Sequence, residues 1–246
     1  MASIRVDFPS ETLGLGTTMT VLMPAGAGRK RVLYLLHGLT DDHSAWSRFT
    51  SIERYAADHD VAVVMPQVHR SFYCDTRFGL PFWTFLSEEL PRAVENLFRV
   101  STDRADTFVA GLSMGGYGAL KWALRQPERF AAAASLSGAL DLARIQEHDD
   151  RPHMRRLMTE LFPEHRVGGT DDDLLHLIER ADPAGLPRLM IRCGTEDHTL
   201  PYNQTVVAAL ERRGIAVDSA YGPGAHEWGY WDREIQNVLV FLGLQR

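Results

Sequence analysis

Cysteine is scarce in this sequence, and so is lysine. Two cysteines, Cys74 and Cys193, are no disulfide framework and read as small half-buried thiols. Lys30 and Lys121 are the only lysines, a bias without functional content. No basic block exceeds Arg29-Lys30-Arg31, and the net charge is -6. That argues against nucleic acid or an anionic membrane surface as the main partner. No apolar run approaches the roughly 20 residues needed to span a bilayer. Met1 to Phe8 lack a basic start followed by an apolar stretch, so no signal peptide is expected and the chain is expected in the cytoplasm.

Ligand signatures are equally sparse. There is no H-x-x-x-H pair and no C-x-x-C. His148, His153, His165 and His176 are scattered among acids and read as a solvated face. No P-loop appears, and Gly14-Leu15-Gly16 lacks the following helix of a dinucleotide site. Neither a metal nor a cofactor is expected.

What is present is enough for a full core. The 246 residues are 45% hydrophobic, and folding at this length hides roughly 70–75% of the extended chain's surface. Short apolar runs alternate with helical patterns. Strands are expected at Ile4–Phe8, Thr17–Met23, Val32–Leu36, Val61–Met65, Thr107–Ala110, Ala131–Leu136, Leu189–Cys193 and Ile215–Tyr221. Helices are expected at Ser44–Ala57, Trp83–Phe98, Gly116–Arg125, Tyr202–Arg213 and Trp228–Leu242. Pro91 should kink the second of these or start a new helix. The repetition implies an α/β architecture: a mostly parallel sheet with helices on both faces. The first two strands look like an antiparallel edge hairpin. The whole chain, 1–246, reads as one domain. The polar stretch 141–184, with helical pieces at His153–Phe162 and Asp172–Arg180, reads as a cap-like insertion packed over one end of the sheet.

The strongest chemical signal is Gly111-Leu112-Ser113-Met114-Gly115, a G-x-S-x-G pattern. It follows a buried strand and opens a helix. A sharp turn there would project the Ser113 hydroxyl above the sheet, and the helix N-terminus would favour a developing oxyanion. A serine hydroxyl needs a base, and the base needs an orienting acid. In this architecture the chain order is Ser, acid, His. His226, in the loop between the last strand and the last helix, is the expected base; His198 is the rival. Asp197, after the strand Leu189–Cys193, is the expected acid, ahead of Glu196. Asp182 and Asp141 are fallbacks, with Asp141 read as a helix cap.

A tetrahedral intermediate needs two donors. The Met114 amide is one. The Leu39 amide, in the loop His37-Gly38-Leu39-Thr40, is the other, with Gly38 behind it. His37 reads as a ring that ties this loop down. Of the aromatics, most of which read as core, Trp46, Tyr73 and Trp228 adjoin the motif loops and are expected as pocket walls.

These segments, together with Gly116-Tyr117-Gly118, Ser137-Gly138 and Gly224-Ala225-His226-Glu227-Trp228, resemble the esterase D family of α/β-hydrolases almost end to end. Ser71 to Thr76 and Ser87 to Pro91 look most like the small bacterial tributyrin esterases. The resemblance implies an α/β-hydrolase fold, hydrolysis of short-chain acyl esters, no cofactor, and the triad Ser113, Asp197 and His226. The same family includes S-formylglutathione hydrolases, feruloyl and acetylxylan esterases, and mycolyltransferases. Asp41-Asp42 stand where the formylglutathione group has a cysteine, which argues against a glutathione thioester. The expected partner is a small acyl ester. Transfer to an acceptor other than water, and a non-catalytic binding module on the same scaffold, are the rival readings.

Overall fold

The structure is a computed structural model that describes residues 1–76, 79–164 and 166–244. His165 therefore lies outside the described residues. An eight-stranded sheet runs through the molecule in the order β1-β2-β4-β3-β5-β6-β7-β8. The strands are β1 (Ala2–Ser10), β2 (Leu15–Met23), β3 (Arg31–Leu36), β4 (Val61–Pro66), β5 (Thr107–Leu112), β6 (Ala132–Leu136), β7 (Arg188–Gly194) and β8 (Val217–Gly222). β1 and β2 form the antiparallel edge hairpin, and β2 also pairs antiparallel with β4. The other pairings are parallel.

The period of two along each central strand feeds two cores. Val32, Tyr34 and Leu36 join one cluster, with residues of α4 (Leu90–Leu97), α5 (Met114–Arg125) and α9 (Leu200–Arg212). Leu33 and Leu35 join the other, with α1 (Ala45–Phe49), α2 (Ile52–Asp58) and α10 (Trp228–Phe241). The 141–184 stretch forms α6 (Leu142–His148), α7 (Pro152–Leu161) and α8 (Leu174–Arg180), and these pack on the first cluster. α6 was not among the expected helices, although its cap was: Asp141 accepts the Arg144 amide at 3.1 Å.

Two expected helices are divided, each for a local reason. The Ser44–Ala57 segment breaks at Thr50, whose hydroxyl donates to Trp46 O and accepts the Ile52 amide, while the Ser51 amide donates to Asp232 Oδ1 at 2.9 Å. The Trp83–Phe98 segment begins as α3 (Phe82–Thr84) and passes through a π-helical turn, Phe85–Glu89, before α4. Pro91 sits in the first turn of α4. It has no N–H to give to Ser87 O; that carbonyl accepts from Arg129 at 3.5 Å instead.

Parallel registry sets the site. Leu36 pairs with Gly111, Gly111 with Ser135, Leu136 with Arg192, and Gly194 with Gly222. The carboxyl ends of β3, β5, β7 and β8 therefore emerge at one edge, where open parallel sheets gather ligands. Among the described residues, no helix is long and apolar enough to cross a membrane.

Candidate active site

Four loops converge there. The turn from β5 to α5 is the most strained. Ser113 has φ 53° and ψ -118°, a conformation L-residues avoid. The turn closes because its flanks are glycines. A Cβ on Gly111 would stand 2.4 Å from the Gly115 backbone, and one on Gly115 would stand 2.4 Å from Leu36 O. The Ser113 amide donates to Leu136 O at 2.9 Å, which fixes the turn to β6. The hydroxyl is thereby held at the N-terminus of α5 rather than in its capping position.

His226 Nε2 lies 2.9 Å from Ser113 Oγ. On its other side His226 Nδ1 lies 3.0 and 2.9 Å from the two Asp197 carboxylate oxygens. His226 Nδ1–H thus donates to Asp197 and Nε2 is free to accept from Ser113. Asp197 Oδ1 also accepts the Thr199 amide and hydroxyl, each at 2.8 Å. Burial pushes the Asp197 carboxyl upward, but the His226 ring, its charge, the Thr199 amide and the Ser137 hydroxyl more than offset this and hold it at about 2.

The loops that deliver acid and base are tied to each other. The Glu196 amide donates to Gly224 O at 3.0 Å, and Glu196 Oε2 accepts the Gly224 amide at 2.6 Å. The Thr195 amide donates to Gly222 O at 2.8 Å. Glu196, weighed in the sequence as the second acid, instead fastens the His226 loop to the end of β7. Asp141 and Asp182 are engaged elsewhere, in the α6 cap and with the Ala184 amide. His198 does not bond Ser113. Its ring lies against His226 with centroids 4.6 Å apart, and its Nδ1 is 3.6 Å from Asp197 Oδ1. Burial and the neighbouring His226 push its pKa below the usual range.

The loop after β3 supplies the third wall. Its His37 ring is buried, with Nδ1–H donating to Gly38 O at 2.7 Å and Nε2 accepting the Val68 amide at 3.2 Å. Burial drops its pKa to about 4, so the ring is a neutral tie. The Gly38 amide donates to Asp41 Oδ2 at 3.2 Å, so it is already occupied. The Leu39 and Met114 amides have no such partner among the described residues, and both residues line the cavity above Ser113.

That cavity has a volume of about 490 Å³. Trp228 and Trp231 line it, as do Phe72, Ile145, Met154 and Tyr202. Two expected walls are elsewhere. Trp46 is buried beneath the cleft, its indole N–H on Leu36 O and its ring against Trp228. Tyr73 is buried in the opposite core, with its hydroxyl donating to His37 O at 2.9 Å. Both help to build the loops without facing the cleft. Trp231, one of the aromatics that read as core, is also a wall. It packs edge-on against His226 at 4.9 Å and donates to Ser137 Oγ. Its place one helical turn into α10, after Trp228, is the only sequence signal for it. Residues of 141–184 complete the cleft: Ile145 from α6, His153 and Met154 from α7, and Arg151 between them, paired to Asp149.

Cys74 and Cys193 are free thiols, buried more fully than expected. Burial pushes Cys74 up to about 12 and Cys193 to about 11, so neither serves as a nucleophile near neutral pH. Among the described residues, one group of metal-binding side chains comes together: Asp197, His198 and His226, with donor atoms within 4.8 Å of one another.

Fold and site together define the class. A mostly parallel sheet with a serine at its strained strand-to-helix turn is an α/β-hydrolase fold. The model of the family described as "Putative esterase" matches residues 10–242, and the chain belongs to that esterase family. It is a carboxylic ester hydrolase. The chain is 26% identical over 264 residues to an acetyl esterase of Caldicellulosiruptor saccharolyticus, covering 98% of both chains. Among solved structures it is similar to FphF, the fluorophosphonate-binding serine hydrolase F of Staphylococcus aureus, with TM-score 0.90 and 31% identity over 98% of each chain. It is also similar to the S-formylglutathione hydrolase FrmB of the same organism, with TM-score 0.87, 31% identity and the same coverage.

Proposed function

We propose that the protein is a serine carboxylesterase that hydrolyses short-chain acyl esters through Ser113, His226 and Asp197. The observation that carries this is the unbroken chain of contacts from Ser113 Oγ through the His226 ring to Asp197, with steps of 2.9 Å on both sides of the imidazole. As Ser113 Oγ attacks the ester carbonyl carbon, its proton passes to His226 Nε2. Asp197 holds Nδ1–H and stabilises the imidazolium. The carbonyl oxygen becomes an oxyanion held by the Leu39 and Met114 amides. The intermediate collapses, the C–O bond to the alcohol breaks, and His226 returns the proton to the departing alkoxide. Water then repeats the sequence on the acyl-enzyme, with His226 again as base, and releases the acid.

Trp228, Trp231 and Met154 wall the cleft beside Ser113, and we assign this wall to a short acyl chain. Within the esterase family, the motif loops around Ser113, Asp197 and His226 support membership of the esterase D group, and the segments Ser71–Thr76 and Ser87–Pro91 support a likeness to tributyrin esterases. The 141–184 helices then act as a cap on a single domain, and we assign the enzyme to the cytoplasm. The likeness to FrmB favours a second substrate, a formyl thioester, for which the same triad would serve.

Ser113→Ala tests the reading directly. Turnover of p-nitrophenyl acetate and butyrate should fall by about 10⁴- to 10⁶-fold while circular dichroism stays that of the wild type. Undiminished turnover in a folded variant would refute it. A series of p-nitrophenyl esters compared with S-formylglutathione ranks the two substrate classes by kcat/KM.

A further inference from the structure

His198 has no part in the proposed reaction, yet it stands beside the two groups that orient the base. Its Nδ1 is 3.6 Å from Asp197 Oδ1, the same oxygen that lies 3.0 Å from His226 Nδ1. The three donors, one per residue, fall within 4.8 Å of one another. Donors of a tetrahedral zinc ion at 2.0–2.1 Å stand roughly 3.3 Å apart. The separations to Asp197 bracket that value. The gap between the two imidazoles is closed by rotating His198, whose side chain is half exposed, whereas the Asp197 carboxylate is buried. Imidazole, imidazole and carboxylate are the ligands that zinc-type ions prefer.

We propose that His198, His226 and Asp197 form an inhibitory site for a zinc-type divalent ion. The ion is an occupant that arrests the site, with no part in turnover. An ion seated among these donors takes the lone pair of His226 Nδ1, and the proton carried there moves to Nε2. His226 remains neutral, but Nε2–H now points at Ser113 Oγ as a donor. It can no longer accept the serine proton. Asp197 is diverted at the same time from the ring it orients. His198 is the residue that makes this possible, because a carboxylate and one imidazole are too few ligands to hold zinc firmly. Motif reading cannot find the site, because two of its donors come from the loop after β7 and the third from the loop after β8.

Zinc binding is separable from the esterase reading, because calorimetry counts bound ions whether or not an ester is cleaved. Zinc chloride titrated into wild-type protein should give one bound ion per chain. His198→Ala should weaken that binding by about tenfold or more, whereas His148→Ala, which removes an exposed histidine of α6, should leave it unchanged. Ser113→Ala, which removes the nucleophile but no ligand, should bind zinc as the wild type does. p-Nitrophenyl acetate turnover, scored against each protein's own metal-free rate, should fall with occupancy and recover on chelation. Wild-type affinity in His198→Ala, absence of binding at about 1 mM zinc, or full turnover of the zinc-loaded protein would each overturn the proposal. Should no ester be cleaved, the calorimetric comparison still decides the site.

Discussion

At the scale of single residues, the site is a set of side chains with fixed polarity. Asp197 holds about 2 because its partners favour the charged form more than burial opposes it. Its charge is therefore complete above pH 3.8 and disappears only as pH falls through about 2, so acid loss of activity above pH 4 does not arise from this group. Asp197→Asn, which keeps the shape but reverses the hydrogen bond to Nδ1, should lower kcat by about 10⁴-fold with KM little changed. Glu196 works at one remove, through its bonds to Gly224. Glu196→Ala should lower kcat by about tenfold at nearly constant KM, and Glu196→Gln, which still offers an accepting oxygen, should recover most of it. Equal rates in the two variants would show that the carboxylate does not position the His226 loop.

These residues differ in how far the sequence revealed them. Ser113 and its glycines are legible because the turn's steric demands fall within five consecutive residues. Asp197 and His226 are legible through chain order and the family resemblance, since nothing local to either tells of a partner across the sheet edge. Trp46 and Tyr73 adjoin motif loops in sequence, yet their rings turn inward, because Leu36 O and His37 O need donors there. Which way an aromatic beside a loop faces depends on such carbonyls, and they are placed by tertiary structure.

At the scale of elements, the loop after β3 depends on a neutral His37. A histidine that titrates near 6.5 when unfolded and near 4 when folded supports the native state fully above pH 6.5. That support is lost as pH falls from 6.5 to 4, to an extent of about 3 kcal/mol. Urea unfolding of the wild type should show this decline, and His37→Gln should show a flatter profile over the same range. The insertion is fastened differently. Lys121 of α5 is fully buried and pairs with Asp172 at 2.5 Å, while donating to Tyr73 O at 2.8 Å. Lys121→Met should cost about 3–5 kcal/mol because it strands the Asp172 charge, and adding Asp172→Leu should restore much of it. Chemical denaturation of both variants checks this. The element boundaries were read well where an apolar period ran unbroken, as in β5 and α10. They differ from the reading where side chains take over backbone bonding at Thr50 and in the short polar helix α6, whereas Pro91 opens α4 as its missing N–H requires.

At the scale of the whole molecule, the sheet supplies the registry, and the proposed function assigns to the 141–184 helices the limit on substrate size. Met154 and Ile145 face the same cavity as Trp228 and Trp231. The p-nitrophenyl series should peak at acetate to butyrate, and Met154→Ala should shift the optimum toward longer chains, with kcat/KM for octanoate rising about tenfold. An unchanged profile would place the acyl group elsewhere in the cleft. The central claim, that an activated Ser113 is the nucleophile, is tested most directly by intact-protein and peptide mass spectrometry after reaction with a fluorophosphonate. One phosphonyl group per chain, attached to Ser113 and absent from Ser113→Ala, is the predicted result. An unmodified protein, or an adduct at any other residue, would contradict it.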